Sequence, residues 1–317
     1  MVRKKSTLAL TAAVLAAAAL GADTPAQAQD IAPGMEEQTL QVDVDMVLVN
    51  ATVTDRNNRP VTGLSREHFQ VFEDRIEQQL VSFSAEDVPL SVGIVFDVSG
   101  SMKQKLDVAR DAVGTFLRTL TPSDEHLLVE FSTSPQVTQT FTTDVSRLQN
   151  RLLFTPAGGM TALFDAVYRG LEAVVADAIN PKKALLLITD GQDNASRYNF
   201  GNLRDAVRES DVQIYAIGIV DAFNSQLGLG QSGRSLLREI AEETGGLSFF
   251  PNSVYELEDI TTKISVELKN QYVLGYLSTN KETDGEWRNI QVKLEPPRGL
   301  PGSLSVRAKR GYYGPVH

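Results

Sequence analysis

Val92-Gly93-Ile94-Val95-Phe96-Asp97-Val98-Ser99-Gly100-Ser101 opens as an apolar run and closes on three short side chains that carry oxygen. A continuous apolar run from Val92 to Phe96 is what a strand buried on both faces requires. The residues that follow change period. Leu106, Ala109, Val113, Phe116, Leu117 and Leu120 fall at helical spacing, which predicts a helix over Met102 to Leu120. The same alternation repeats downstream. Apolar runs at Leu127 to Phe131, Ala184 to Ile188, Val212 to Ile219 and Leu247 to Phe250 read as strands. Helical patterns occupy Thr161 to Ala178, Asn202 to Glu209, Ser235 to Thr244 and Tyr255 to Leu268. Gln136 to Phe141 reads as a strand paired with Leu127 to Phe131. Strand alternating with helix predicts an α/β fold, a doubly wound, mostly parallel sheet covered on both sides.

In such a sheet, ligands gather outside the carboxyl ends of the strands. Three short segments each follow, or fall close after, a stretch that reads as a strand or an approach loop: Asp97-Val98-Ser99-Gly100-Ser101, Gly158-Gly159-Met160-Thr161 and Thr189-Asp190-Gly191. Asp97, Ser99 and Ser101 alternate, so an extended turn sets their three oxygens on one side. Gly100, Gly158 and Gly159 permit backbone shapes that larger residues resist. Each segment alone reads as an ordinary helix cap or turn. Together Asp97, Ser99, Ser101, Thr161 and Asp190 offer two carboxylates and three hydroxyls, hard donors suited to Mg2+ or Mn2+. Asp193, in Gly191-Gln192-Asp193-Asn194, lies near this rim and reads as a solvated turn residue, with a supporting role behind the metal ligands as the alternative.

These residues resemble the von Willebrand factor type A domain and its metal-ion-dependent adhesion site. The family pattern of Asp-x-Ser-x-Ser, then Thr, then Asp is met by Asp97, Ser99, Ser101, Thr161 and Asp190 without departure. The resemblance spans Pro89 to about Lys269. Val61-Thr62-Gly63-Leu64, Val71-Phe72-Glu73-Asp74, Asp87-Val88-Pro89-Leu90 and Gly311-Tyr312-Tyr313 are similar to a bacterial group of exported proteins related to it. The resemblance implies that the serines bind the ion directly, and that Thr161 and the aspartates bind it directly or through water. It also implies a partner protein whose exposed Glu or Asp completes the coordination.

The chain of 317 residues has 42% hydrophobic and 22% charged residues, the balance of a soluble globular protein long enough for two domains. A net charge of −10 argues against nucleic acid or an anionic membrane as partner. The absence of cysteine excludes disulfides, thiolate chemistry and cysteine zinc sites. The three histidines, His68, His126 and His317, form no His-Glu-x-x-His pattern.

Arg3, Lys4 and Lys5 precede an apolar run from Leu8 to Leu20, and Ala26-Gln27-Ala28 follows as a small-x-small cleavage pattern. That is an export signal over residues 1–28, cleaved after Ala28, and it predicts a secreted or periplasmic protein with no membrane insertion after cleavage. Its removal takes three bases and one acid and leaves a net charge of about −12.

Residues 29–38 read as a polar linker. Residues 39–88 carry strand patterns at Leu40 to Val53, Gln70 to Glu73 and Gln78 to Phe83, a turn at Arg56 to Pro60, and a helical turn from Ser65 to Phe69. Residues 270–317 return to strand character at Tyr272 to Leu277, Trp287 to Leu294 and Ser303 to Lys309. Neither terminal segment has enough residues for its own core. The expectation is one small β-sandwich built from both, with the α/β domain of residues 89–269 inserted between them.

The function expected is an exported, metal-dependent protein-binding or adhesion module, and not an enzyme. A metal-dependent hydrolase, in which the ion activates water, is the first alternative; no nucleophile–base pattern supports it. A scaffold whose ion only braces the fold is the second. Gly228-Leu229-Gly230-Gln231-Ser232-Gly233 matches a dinucleotide fingerprint, but Asp221 to Leu227 separates it from the preceding strand, so it reads as a loop.

Overall fold

A computed structural model describes residues 46–85, 88–219, 231–253, 255–295 and 304–316. The export signal, the linker, residues 40–45 of the first predicted strand and the Gly228-Leu229-Gly230 part of the glycine-rich loop lie outside the described residues.

The elements in chain order are β1 (Met46–Thr54), β2 (Phe69–Glu73), β3 (Ile76–Gln78), β4 (Leu80–Ser84), β5 (Leu90–Asp97), α1 (Leu106–Leu117), β6 (Glu125–Phe131), β7 (Pro135–Thr142), α2 (Val145–Phe154), α3 (Leu163–Asp177), β8 (Lys182–Thr189), α4 (Phe200–Glu209), β9 (Gln213–Gly218), α5 (Gln231–Glu243), β10 (Ser248–Phe249), α6 (Glu256–Lys269), β11 (Tyr272–Leu277), β12 (Trp287–Leu294), β13 (Ser305–Arg307) and β14 (Gly311–Tyr313).

Six strands form one sheet in the order β10-β9-β8-β5-β6-β7. All neighbours are parallel except β6 and β7, which run antiparallel, as the hairpin-length connection between them requires. All eight residues of β5 are buried. Its two faces feed two cores. Val92, Ile94 and Phe96 pack with Val113 and Phe116 of α1, Leu148 and Leu152 of α2, and Ile264 of α6. Val95 packs with Leu163, Val167 and Val174 of α3, Leu203 of α4 and Leu237 of α5. Apolar burial on both faces at roughly 25 cal/mol per Å2 is the dominant favourable term here. It accounts for the unbroken apolar runs that marked these strands.

The terminal segments form two further sheets, β13-β1-β11-β4 and β14-β12-β2-β3. In the first, strands from before residue 85 alternate with strands from after residue 271; in the second, β12 joins β14 to the β2–β3 pair, so each sheet combines both ends of the chain. Val49, Ala51, Val71, Tyr272, Leu274 and Ile290 share a single core. The expectation of a β unit assembled from both ends is met in these pairings.

Several boundaries differ from the sequence reading. The helix expected from Met102 starts at Leu106, because Gly100–Met102 closes a 3-10 turn instead. The helix expected from Thr161 starts at Leu163. Helix α2 has no counterpart in the sequence reading; it buries only Leu148 and Leu152, and Asp144 caps it by accepting the Ser146 N–H at 3.0 Å. The strand expected over Ser303 to Lys309 is the short β13, with a separate β14 after it.

Candidate metal centre

Asp97 is the last residue of β5 and Asp190 follows the last residue of β8, its neighbour in the sheet. Adjacent parallel strands therefore deliver two carboxylates to one end of the sheet. Asp97 is fully buried and Asp190 is 5% exposed. The Asp97 carboxylate takes neutral donors: Oδ1 accepts the Ser99 N–H at 2.9 Å, and Oδ2 accepts the Thr189 hydroxyl at 2.6 Å. Burial pushes the Asp97 carboxyl up to about 6, against the pull of the Ser99 and Thr189 hydrogen bonds, and repulsion from Asp190 adds to the rise.

After β5 the chain turns through Ser99, Gly100 and Ser101. The Ser99 and Ser101 hydroxyls lie 3.0 Å apart, with Ser99 buried and Ser101 exposed. This is the arrangement expected of alternate residues whose side chains share one side of a turn. The 3-10 turn that displaces the start of α1 is what presents them.

The second segment is bound to the first. The Gly100 N–H donates to the Gly159 carbonyl at 3.0 Å, and the Gly158 N–H to the Val98 carbonyl at 2.8 Å. Gly159 holds φ of +84°, and a Cβ there would stand 2.7 Å from the Thr133 hydroxyl, so glycine is required on both counts. Thr161 follows, 2% exposed, and it is not the cap of α3. Its N–H donates to Asn194 Oδ1 at 2.8 Å and its carbonyl accepts from the Asn194 and Ala195 N–H groups, so side-chain and main-chain contacts of the third segment fix its backbone.

The third segment supplies more than Asp190. Asp193 is not a solvated turn residue: its Oδ1 accepts the N–H groups of Leu163 at 2.8 Å and Phe164 at 3.3 Å, and the Ser196 hydroxyl at 2.5 Å. It caps α3 from a distant loop and complements the helix dipole there. Buried Asp165 of α3 reciprocates by accepting the N–H groups of Arg197 and Tyr198 at 3.0 and 3.1 Å. The loop from Asp193 to Tyr198 is thus fastened to α3 on both sides. It forms a fixed rim on which Met160 and Tyr198 remain exposed. Gly191 holds φ of +80°, with the Gly233 Cα 3.2 Å from where its Cβ would sit, so the Asp190 loop abuts the first turn of α5.

The structure therefore brings Asp97, Ser99, Ser101, Thr161 and Asp190 to one end of the sheet. It adds three residues that the sequence reading passed over. Thr189 hydrogen-bonds Asp97, Asn194 fixes Thr161, and the Lys105 ammonium meets Asp190 Oδ2 at 3.2 Å. Among the described residues, no group of three or more His, Cys, Asp or Glu side chains is placed to hold a metal. The donor set here is of another kind, two carboxylates with neutral hydroxyls. That chemistry fits a hard divalent cation: the fully buried Asp97 carboxylate accepts from neutral donors, and the Lys105 ammonium is engaged on Asp190.

The model of the von Willebrand factor type A domain matches residues 91–263. No curated protein matches the chain. Among solved structures, a von Willebrand factor type A protein from Catenulispora acidiphila is similar at 12% identity and a TM-score of 0.48, over 86% of this chain and 74% of that one. The PilB minor pilin from Streptococcus sanguinis is similar at 17% identity and a TM-score of 0.46, over 58% of this chain; the match spans 63% of the pilin's length. An aerotolerance-related membrane protein from Bacteroides fragilis is similar at 16% identity and a TM-score of 0.46, over 57% of this chain and 98% of that one. With the match to residues 91–263 covering more than half of its length, this chain belongs to the von Willebrand factor type A domain family.

Proposed function

We propose that the chain is an exported protein-binding module that holds a divalent cation, Mg2+ or Mn2+, through Asp97, Ser99, Ser101, Thr161 and Asp190, and binds an acidic side chain of a partner protein there. Domains of this family commonly act as metal-dependent interaction modules. The observation that carries the reading is the fully buried Asp97, paired with neutral donors only and set beside Asp190. Bound here, the cation would be held largely by neutral hydroxyls, and an open coordination position would accept a carboxylate from outside. The chain's own part is to hold the donors rigid. The Asp193, Asn194 and Ser196 contacts fix Thr161 and the start of α3 before any ligand arrives, which limits the ordering cost of binding. The fixed rim, with Met160 and Tyr198, is where partner specificity resides.

The chain's net negative charge repels an acidic partner at long range, so association is not electrostatically accelerated. Export rests on the signal pattern of residues 1–28; among the described residues no helix is long and apolar enough to cross a membrane. The chain has three histidines and no cysteine, so the side chains that most often activate a nucleophile are scarce, which favours binding over hydrolysis. The test is Mn2+ titration with and without a short peptide carrying one glutamate, beside its glutamine counterpart. Metal affinity should rise with the glutamate peptide alone. Affinity indifferent to both peptides would leave the cation a purely structural role.

A further inference from the structure

Lys105 stands directly before α1, on the same loop that carries Ser99 and Ser101. Its N–H donates to the Met102 carbonyl at 2.8 Å and its carbonyl accepts the Ala109 N–H at 2.9 Å, so the base of the side chain is fixed at the foot of the helix. The side chain is only 9% exposed and ends 3.2 Å from Asp190 Oδ2, on a carboxylate that is 2% exposed. A buried ammonium and a buried carboxylate are each costly alone and tolerable as a pair. The two aspartates therefore differ. Asp97 meets neutral donors, whereas Asp190 meets a full positive charge.

We propose that Lys105 sets the strength of cation binding at this centre: its ammonium occupies Asp190 in the metal-free chain and must retreat when a divalent cation arrives. This rests on the metal reading given above. An ammonium and a divalent cation repel each other across a few ångströms of low-dielectric interior, so they do not share Asp190 at contact. Two consequences follow. The metal-free fold is spared an uncompensated buried carboxylate, and cation affinity is lower than the donor set alone would give. An incoming carboxylate offsets the repulsion, which makes acidic ligand and cation bind cooperatively.

The experiment is calorimetric Mn2+ titration of the full chain as wild type, Lys105→Met, Lys105→Arg and Asp97→Ala. Lys105→Met keeps the stem and removes the charge. It should bind Mn2+ at least about tenfold more tightly, while melting lower than wild type in chelator. Lys105→Arg should stay near wild type. Equal or weaker Mn2+ binding by Lys105→Met overturns the proposal, and if Asp97→Ala has meanwhile lost the metal, the metal reading survives that failure. If Asp97→Ala binds as wild type does, the metal reading fails and this inference falls with it. Should Lys105→Met not fold, the wild type decides. Reductive methylation of Lys105, followed by peptide mass spectrometry, should rise severalfold at saturating Mn2+, and unchanged labelling overturns the proposal.

Discussion

Two buried carboxylate sites in this molecule are built on opposite principles. Glu73 of β2, 2% exposed, accepts the hydroxyls of Tyr276 at 2.7 Å, Tyr312 at 2.8 Å and Ser278 at 2.5 Å, with the Arg288 guanidinium 3.9 Å away. Its donors come from β11, β14, β12 and the turn after β11, so one carboxylate gathers strands from both ends of the chain. Burial and the hydrogen bond to Glu73 push both tyrosine hydroxyls above the ordinary range, so they stay protonated as donors. Asp97 is equally buried but meets two neutral donors and a second carboxylate nearby. A satisfied buried charge acts as structure. A buried charge short of positive partners is a place for something to bind.

The largest effect belongs to the satisfied site. Glu73→Ala strands three hydroxyls and a buried guanidinium, and should cost about 3–5 kcal/mol in urea denaturation while leaving Mn2+ affinity unchanged. A loss below about 1 kcal/mol would erase the contrast. The next test is its mirror image. In chelator at neutral pH, Asp97→Asn should be as stable as wild type or up to about 2 kcal/mol more stable, because a desolvated charge is removed. A loss as large as that of Glu73→Ala would mean that Asp97 is a structural carboxylate too.

Smaller effects sharpen the picture of the rim. Asp193→Ala removes the cap of α3 and should cost about 1 kcal/mol by thermal denaturation. It should also weaken metal binding, because the capped turn lies two residues from Thr161.

The last test is acid. His126 of β6 is fully buried, and burial holds its pKa below the ordinary value against the opposing pull of Asp144, Asp124 and Glu125. The unfolded chain then binds the proton more readily than the folded one, so the stability tied to neutral His126 is complete above about pH 6.5 and is lost as pH falls. His126→Phe should flatten the stability–pH curve of the metal-free chain below pH 6.5; an unchanged slope would clear His126 of that role.

What the sequence disclosed follows the same division. Strands β5, β8 and β9 were legible because burial on both faces writes an unbroken apolar run. Asp97, Ser99 and Ser101 were legible because one short turn carries all three. The groups around them were not. Lys105 sits inside a run that reads as helix, Thr189 stands beside Asp190 with nothing local to mark it as a partner of Asp97, and Asp193 and Asn194 lie inside a polar turn. Each acts on a residue brought close only by the fold. Glu73 and Arg288 are likewise far apart in the chain, and no local period announces such a pair. Helix α2 escaped because a surface helix that buries two leucines leaves too little pattern.

Asp97, with Asp190 and the three hydroxyls, should act as a cation site. Calorimetric titration of Mg2+ into the full chain tests it most directly, with Asp97→Ala as comparison and circular dichroism to confirm that both are folded. One Mg2+ should bind per wild-type chain and none in the folded variant. Equal Mg2+ binding by the two, or none by the wild type, would contradict it.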